Sequence, residues 1–375
     1  MKLNKTLVAA AALSLAGAAS AQVTLYGVVD VGLNLQTITP GDNFPGEASR
    51  SQFGLASGQQ SGSRWGIRGV EQINSDLSAN FVLESGVNIT DGTSSGFTRQ
   101  STLGLASQTY GAADLGRRTT PTTAALSGID PFGQSFGTAS LDSTMGTSFM
   151  RLSNMVMYTS PSFAGFTGSV GYSFDTGFKD VIGTGEAGSF GTSNKHRAVS
   201  LAGRYANGPV VLAAGYDQIM PANVPNQASA NVKAWILGGT YDFKVVKLHA
   251  AYGQTIDGII EGTNTLSNAN LTGGDTNTQG GVLFAPGART NSWMLGASAP
   301  LSASTSVFGS VQQQLPGGDF KTLANTSTQT VASVGATYAF SKRTNAYAYY
   351  SYVNNVAMLE GAKANTVGLG LRHTF

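Results

Sequence analysis

The chain has no cysteine, three histidines, few charges and, past its first residues, no long apolar run. Each shortage removes a class of protein. Without cysteine there is no disulfide framework and no thiolate ligand for a structural zinc site. His196, His249 and His373 stand far apart, at no metal-ligand spacing, so neither a metal nor another cofactor is expected. Asp, Glu, Lys and Arg make up 11% of the 375 residues, against about 25% in ordinary soluble domains. Yet no apolar segment after Gln22 reaches the roughly 18–20 residues of a membrane-crossing helix. Few charges without helical spans leave one membrane architecture open, because only helices and closed β-barrels satisfy every backbone N–H and C=O group in lipid.

The first 21 residues differ from the rest. Lys2 and Lys5 precede an apolar core from Leu7 to Leu15, and Ala19-Ser20-Ala21 offers a small-residue cleavage site. This is the pattern of a secretory leader, so residues 1–21 are expected to be a signal peptide and residues 22–375 the exported domain. Removing Lys2 and Lys5 from 22 basic residues leaves 20, equal to the 20 acidic ones. A neutral mature chain does not fit a nucleic-acid partner, which calls for a basic patch or a high isoelectric point.

What the chain does have is alternation with a period of two. Phe166, Gly168, Val170, Tyr172 and Phe174 share one face, with Thr167, Ser169, Gly171 and Ser173 on the other. Val210, Leu212, Ala214 and Tyr216 repeat the pattern, as do Val246, Leu248, Ala250 and Tyr252, and then Ala332, Val334, Ala336, Tyr338 and Phe340. Strands place successive side chains on opposite faces. Segments of about ten residues, apolar outside, polar inside and tipped with aromatics, mark transmembrane barrels. The clearest strands are expected near 23–34, 63–71, 165–174, 209–218, 231–243, 245–254, 328–340 and 344–353. Short turns alternate with long Gly-, Asn- and Ser-rich loops near 36–62, 91–98, 118–149, 174–194, 219–230, 255–288, 315–327 and 354–363. That rhythm predicts an all-β fold, a 16-stranded antiparallel transmembrane barrel. Val367, Leu369, Leu371, His373 and the final Phe375 share a face of the last strand, which is expected to pair with Val23–Asn34 and close the wall.

Val23–Gly32 (VTLYGVVDVG), Ser63–Ser78 (SRWGIRGVEQINSDLS), Leu115–Arg117, Tyr158–Phe166 (YTSPSFAGF) and Gly368–Phe375 (GLGLRHTF) together resemble the general trimeric porins of Gram-negative outer membranes, in their beta-proteobacterial branch. The resemblance runs from the leader to Phe375. It implies a homotrimer set in outer-membrane lipid and lipopolysaccharide, an aromatic C-terminal assembly signal at Phe375, and a third loop, residues 119–149, folded into the pore as a constriction. In that loop Asp130-Pro131-Phe132-Gly133-Gln134 stands where the family often has Pro-Glu-Phe-Gly-Gly, so the carboxylate comes one place earlier.

The resemblance also implies a basic cluster opposite the loop, matched by position at Arg64, Arg99 and Arg151. Arg64 and Arg68 alternate with Trp65 and Ile67, which turns both arginines inward. Arg151 alternates with Leu152, Val156 and Tyr158 and is also expected inside. Arg99 shares its parity with Leu103 and Leu105, so either those leucines face inward or Arg99 sits at a bulge. An arginine at the midplane of the lipid face costs about 2–4 kcal/mol, so these side chains must find water or a partner. The constriction acids are expected to be Asp130 and Asp142. Cations in excess of carboxylates favour anions. Glu84, Lys233, Lys247 and Arg372 read as ordinary lumen lining.

The expected function is passive diffusion of ions and small hydrophilic solutes, with weak anion preference and no enzymatic activity. His249 is the one histidine placed for catalysis, and no nucleophile or carboxylate is in evidence beside it. Two alternatives stay open. A substrate-specific channel would need a ladder of inward aromatics, whereas alternation turns only Tyr347 and Tyr349 inward in their strand. A plugged barrel would serve as an adhesin or a structural protein.

Overall fold

The computed structural model describes residues 22–41, 48–178, 195–222, 230–260, 282–322 and 325–375. The expected leader and parts of several long loops lie outside them. The alternating segments form β1 (Gln22–Thr39), β2 (Arg50–Ser57), β3 (Arg64–Gln72), β4 (Leu77–Gly86), β5 (Gln100–Ser107), β6 (Gly111–Thr119), β7 (Arg151–Thr159), β8 (Phe166–Ser173) and β9 (Arg197–Asn207). They continue as β10 (Val210–Met220), β11 (Val232–Asp242), β12 (Lys247–Ile260), β13 (Val282–Pro300), β14 (Thr305–Gly318), β15 (Gln329–Ala339), β16 (Thr344–Asn354) and β17 (Lys363–Thr374). No helix among the described residues is long and apolar enough to cross a membrane.

Every neighbouring pair is antiparallel, and β17 returns to β1 from Val28↔Thr374 to Thr39↔Lys363, so the sheet closes. The other edge of β1 pairs twice. Val31–Ile38 run against β2, and Gln22–Val28 run against β3. β2 and β3 are therefore two lengths of one wall strand, and the seventeen segments make a 16-stranded barrel. Between them residues 58–63 leave the wall. The loop expected at 36–62 thus contains the end of β1 and all of β2, and β14 likewise extends into the expected loop at 315–327.

The outward face is apolar, as the alternation demands. Leu25, Leu103, Leu212 and Leu295 are exposed on it. Toward the short turns it carries a belt of aromatics, with Phe166 against Tyr205 at 4.5 Å, Tyr241 against Phe243 at 4.5 Å and Tyr338 against Phe340 at 5.2 Å between ring centroids. Such belts sit at membrane–water interfaces. Phe375 joins it, exchanging backbone hydrogen bonds with Gly27 at 3.1 and 3.2 Å.

The inward face is only partly polar. Ala213, Ile236, Ala251 and Met294 point inward and are buried, because the segment after β6 folds back over them. Thr120 caps a short helix, α1 (Pro121–Ala125), its hydroxyl accepting from the Thr123 N–H at 3.1 Å. Proline in the first turn fits there because it has no N–H to leave unsatisfied. Arg204 donates from Nη1 to the carbonyls of Ala125 and Ser127 at the other end. Leu126, Ile129 and Leu141 are fully buried against the wall. Glycines make the seat. A Cβ at Gly215 would lie 2.4 Å from Thr122, one at Gly238 2.8 Å from Ile129, and one at Gly296 2.8 Å from Pro131. The segment then crosses β14 to β16, where Gln312 Nε2 donates to Ala139 O at 2.9 Å and Gln329 Nε2 to Ser143 O at 2.7 Å. Phe132 and Phe136 end in an aromatic cluster with Phe308, Tyr347 and Tyr349. The two tyrosines do face inward, but they are covered by this loop.

Candidate pore-lining site

Opposite the third loop, the inner wall from β1 to β5 carries charge around one carboxylate. Glu84 on β4 accepts from Arg99 Nε at 2.9 Å and from Tyr26 OH at 3.0 Å, and Arg64 Nε lies 3.4 Å away. Arg64 also donates from Nη1 to Gly62 O at 2.9 Å. The Arg68 guanidinium stands 5.2 Å above the Tyr26 ring. Arg64 and Arg68 thus occupy the inward face, while Trp65 points out and packs edge-on against Phe97. Glu84, expected as bland lining, is the acid of this cluster. The β3–β4 register sets it opposite Gly66, one inward position from both Arg64 and Arg68.

Arg99 sits one residue before β5 begins. Leu103 and Leu105 face out and the β4–β5 register has no bulge, so neither alternative holds: Arg99 precedes the strand, and its side chain reaches Glu84 inside. Arg151 needs a correction. Leu152, expected outside, is buried with Met155 and Met157. Alternation fails because Asn154 has a left-handed φ of 46°. Arg151 lies 4.9 Å over the Phe149 ring, and the charges acting on it are those of Arg99, Glu84, Arg117 and Arg64. It joins the cluster electrostatically, not by strand parity. Arg117 was not expected there. It sits at a bulge between Gly116 and Arg118 and donates to Ser153 Oγ at 2.8 Å and to Thr98 O.

Of the expected constriction acids, Asp130 is turned into its own loop, and this too is a correction. Asp130 is 3% exposed, and its carboxylate accepts from the N–H groups of Phe132, Gln134 and Leu141 at 2.9–3.0 Å. Burial pushes its carboxyl up to about 6, and those N–H bonds oppose the rise. Its bonds hold the loop's own turn together. Asp142 is also buried, in the turn Leu141–Ser143. The three N–H groups that Asp130 holds all belong to its own loop.

Arg372, also expected as plain lining, donates from Nε to Ser61 Oγ at 2.9 Å. His249 has both ring nitrogens engaged, Nδ1–H donating to Ile129 O at 2.8 Å and Nε2 meeting Ser298 Oγ at 2.9 Å. It fastens the loop to the wall. The site holds guanidinium groups around one shared carboxylate, so positive charge exceeds negative on this part of the inner wall.

Residues 6–357 match the profile of the Gram-negative porin family. An outer membrane porin protein of Bordetella pertussis is 43% identical over 397 aligned residues, which cover all of both chains. An outer membrane porin protein of Delftia acidovorans is 33% identical, with 98% of this chain and 92% of that protein covered. Among solved structures, an anion-selective porin from Comamonas acidovorans superposes with a TM-score of 0.70 at 25% identity, covering 95% of this chain and all of that one.

Proposed function

The chain belongs to the Gram-negative porin family and is an outer-membrane channel for passive diffusion, and from that premise we propose that it prefers anions, through Arg64, Arg68, Arg99 and Arg151. The observation that carries this reading is the sharing of one carboxylate, Glu84, between Arg99 and Arg64. One acid cannot neutralise two guanidinium groups, so positive potential remains over the lumen, and cationic linings select for anions. The anion selectivity named for the Comamonas porin supports the same reading.

The loop from Thr119 to Phe149 narrows the lumen by lying along its inner wall, and Asp130 and Asp142 serve that loop's fold. The chain acts without catalysis, its best-placed histidine being a structural staple. Residues 1–21 are removed on export, Phe375 marks the barrel for assembly, and the mature protein works as a homotrimer in lipopolysaccharide-containing membrane. Liposome swelling tests the preference. Entry of an anionic solute should outpace that of a neutral solute of equal size. Faster entry of a matched cationic solute would overturn it.

A further inference from the structure

The six residues between β2 and β3 turn into the barrel where the wall strand breaks. Gly58 N donates to Asp30 O at 2.8 Å, and Ser61 N donates to Asp30 Oδ2 at 2.6 Å, with Asp30 itself buried. Tyr347 OH holds the other oxygen of Asp30 at 2.6 Å. Asn345 Nδ2 donates to Gln60 Oε1 at 2.7 Å. The excursion is therefore fixed to β1 on one side and to β16 on the other.

Its free side meets the pore cations. Gly62 O accepts from Arg64 Nη1 at 2.9 Å, and Ser61 Oγ accepts from Arg372 Nε at 2.9 Å. The Arg99 guanidinium lies across Gly62 so closely that a Cβ there would stand 2.8 Å from Nη1 and 3.4 Å from Cζ. The excursion also takes the tip of the third loop, with Phe136 N donating to Gln59 O at 2.7 Å. One short segment thus touches three arginines and the loop opposite them.

We infer that residues 58–63 are a positioning element for the pore's cations, and that Gly62 sets where the Arg99 guanidinium stands relative to the ion path. This rests on the arginine reading given above. Glycine is needed at 62 for space, since its backbone is not in the left-handed region. The atom that a side chain would meet is the far end of a flexible arginine, so the barrel accepts alanine there while Arg99 moves.

The test is a cycle of reversal potentials across planar bilayers under a salt gradient, with wild type, Gly62→Ala, Arg99→Gln and the double variant. Gly62→Ala changes no charge. It should still alter the anion-to-cation permeability ratio by roughly twofold, the size expected when a unit charge shifts by a few ångströms in water. In the double variant the alanine should add nothing to Arg99→Gln. If Arg99→Gln alone leaves the ratio unchanged, the arginine reading itself fails. If Arg99→Gln shifts it and Gly62→Ala does not, or if the two shifts add, Gly62 does not act through Arg99 and the inference is wrong. Ser61→Ala with Arg372→Gln, read in the same cycle, keeps the test decisive if Gly62→Ala does not fold, because the truncation at 61 demands no space. Additivity in that pair would overturn the positioning role.

Discussion

Glu84 carries more of the site's electrostatics than any single arginine, because Arg99, Arg64 and Tyr26 all turn to it. Glu84→Gln should raise anion preference. A unit charge about 8 Å from a permeating ion in water is worth roughly 0.5 kcal/mol, or about a factor of two in local ion concentration. Anions gain what cations lose, so the permeability ratio should rise a few-fold, and zero-current potentials would read it. An unchanged ratio would mean that Glu84 lies off the ion path. How far the site was legible in the sequence differs from residue to residue. Arg64 and Arg68 sit in a regular strand, where Trp65 fixes the parity. Arg99 precedes its strand, and Arg151 lies three residues from the left-handed Asn154, so counting by twos cannot orient either. Asp130 was visible as an acid in the right loop. Its Phe132 and Gln134 partners lie in the adjoining turn, as an Asx turn would place them, whereas its Leu141 partner comes from the loop's longer-range fold, which no local pattern records.

The third loop shows what holds an element inside a barrel. It docks where wall glycines leave room, and an aromatic cluster anchors its tip. Phe136→Ala should weaken that docking by about 3–5 kcal/mol, the usual range for a buried phenylalanine. Limited proteolysis of the folded barrel should then cut between Thr119 and Phe149, where wild type resists. Gly238→Leu should act from the other side, because a side chain there meets Ile129. Equal resistance in both variants would show that the loop's polar bonds alone suffice. The strands themselves were readable from alternation, and β8, β10, β15 and β16 lie within two residues of the expected ranges. The covered inner face was less so. Ile236 and Met294 break the polar inward rule, and that breach was the available sign that something packs on them. The first length of the split second strand, β2, read as loop because Gly58, Ser61 and Gly62 look like a turn whether the chain goes outward or in.

At the scale of the whole molecule, closure by β1 and β17 leaves no sheet edge among the described residues. That protects an exported chain with an apolar outside from edge-to-edge aggregation. The Phe375 ring lies over Gly27, where a Cβ would come within 2.3 Å of it. Gly27→Leu should therefore impair closure and lower the yield of heat-modifiable barrel on unboiled gels. The same gels test the homotrimer, which should run as a large species that heating converts to monomer. Barrel and channel were legible because alternation is a local pattern. Ion preference was not, because it depends on which charges meet across the lumen.

Single-channel recording in a planar bilayer, with the reversal potential taken under a salt gradient, tests the account most directly. Stepwise openings and a reversal potential of anion-favouring sign are expected, with that sign weakened in Arg64→Ser and Arg99→Gln. Stepwise openings with a cation-favouring reversal potential would contradict the role given to the arginines around Glu84, and folded protein without conductance would contradict the channel.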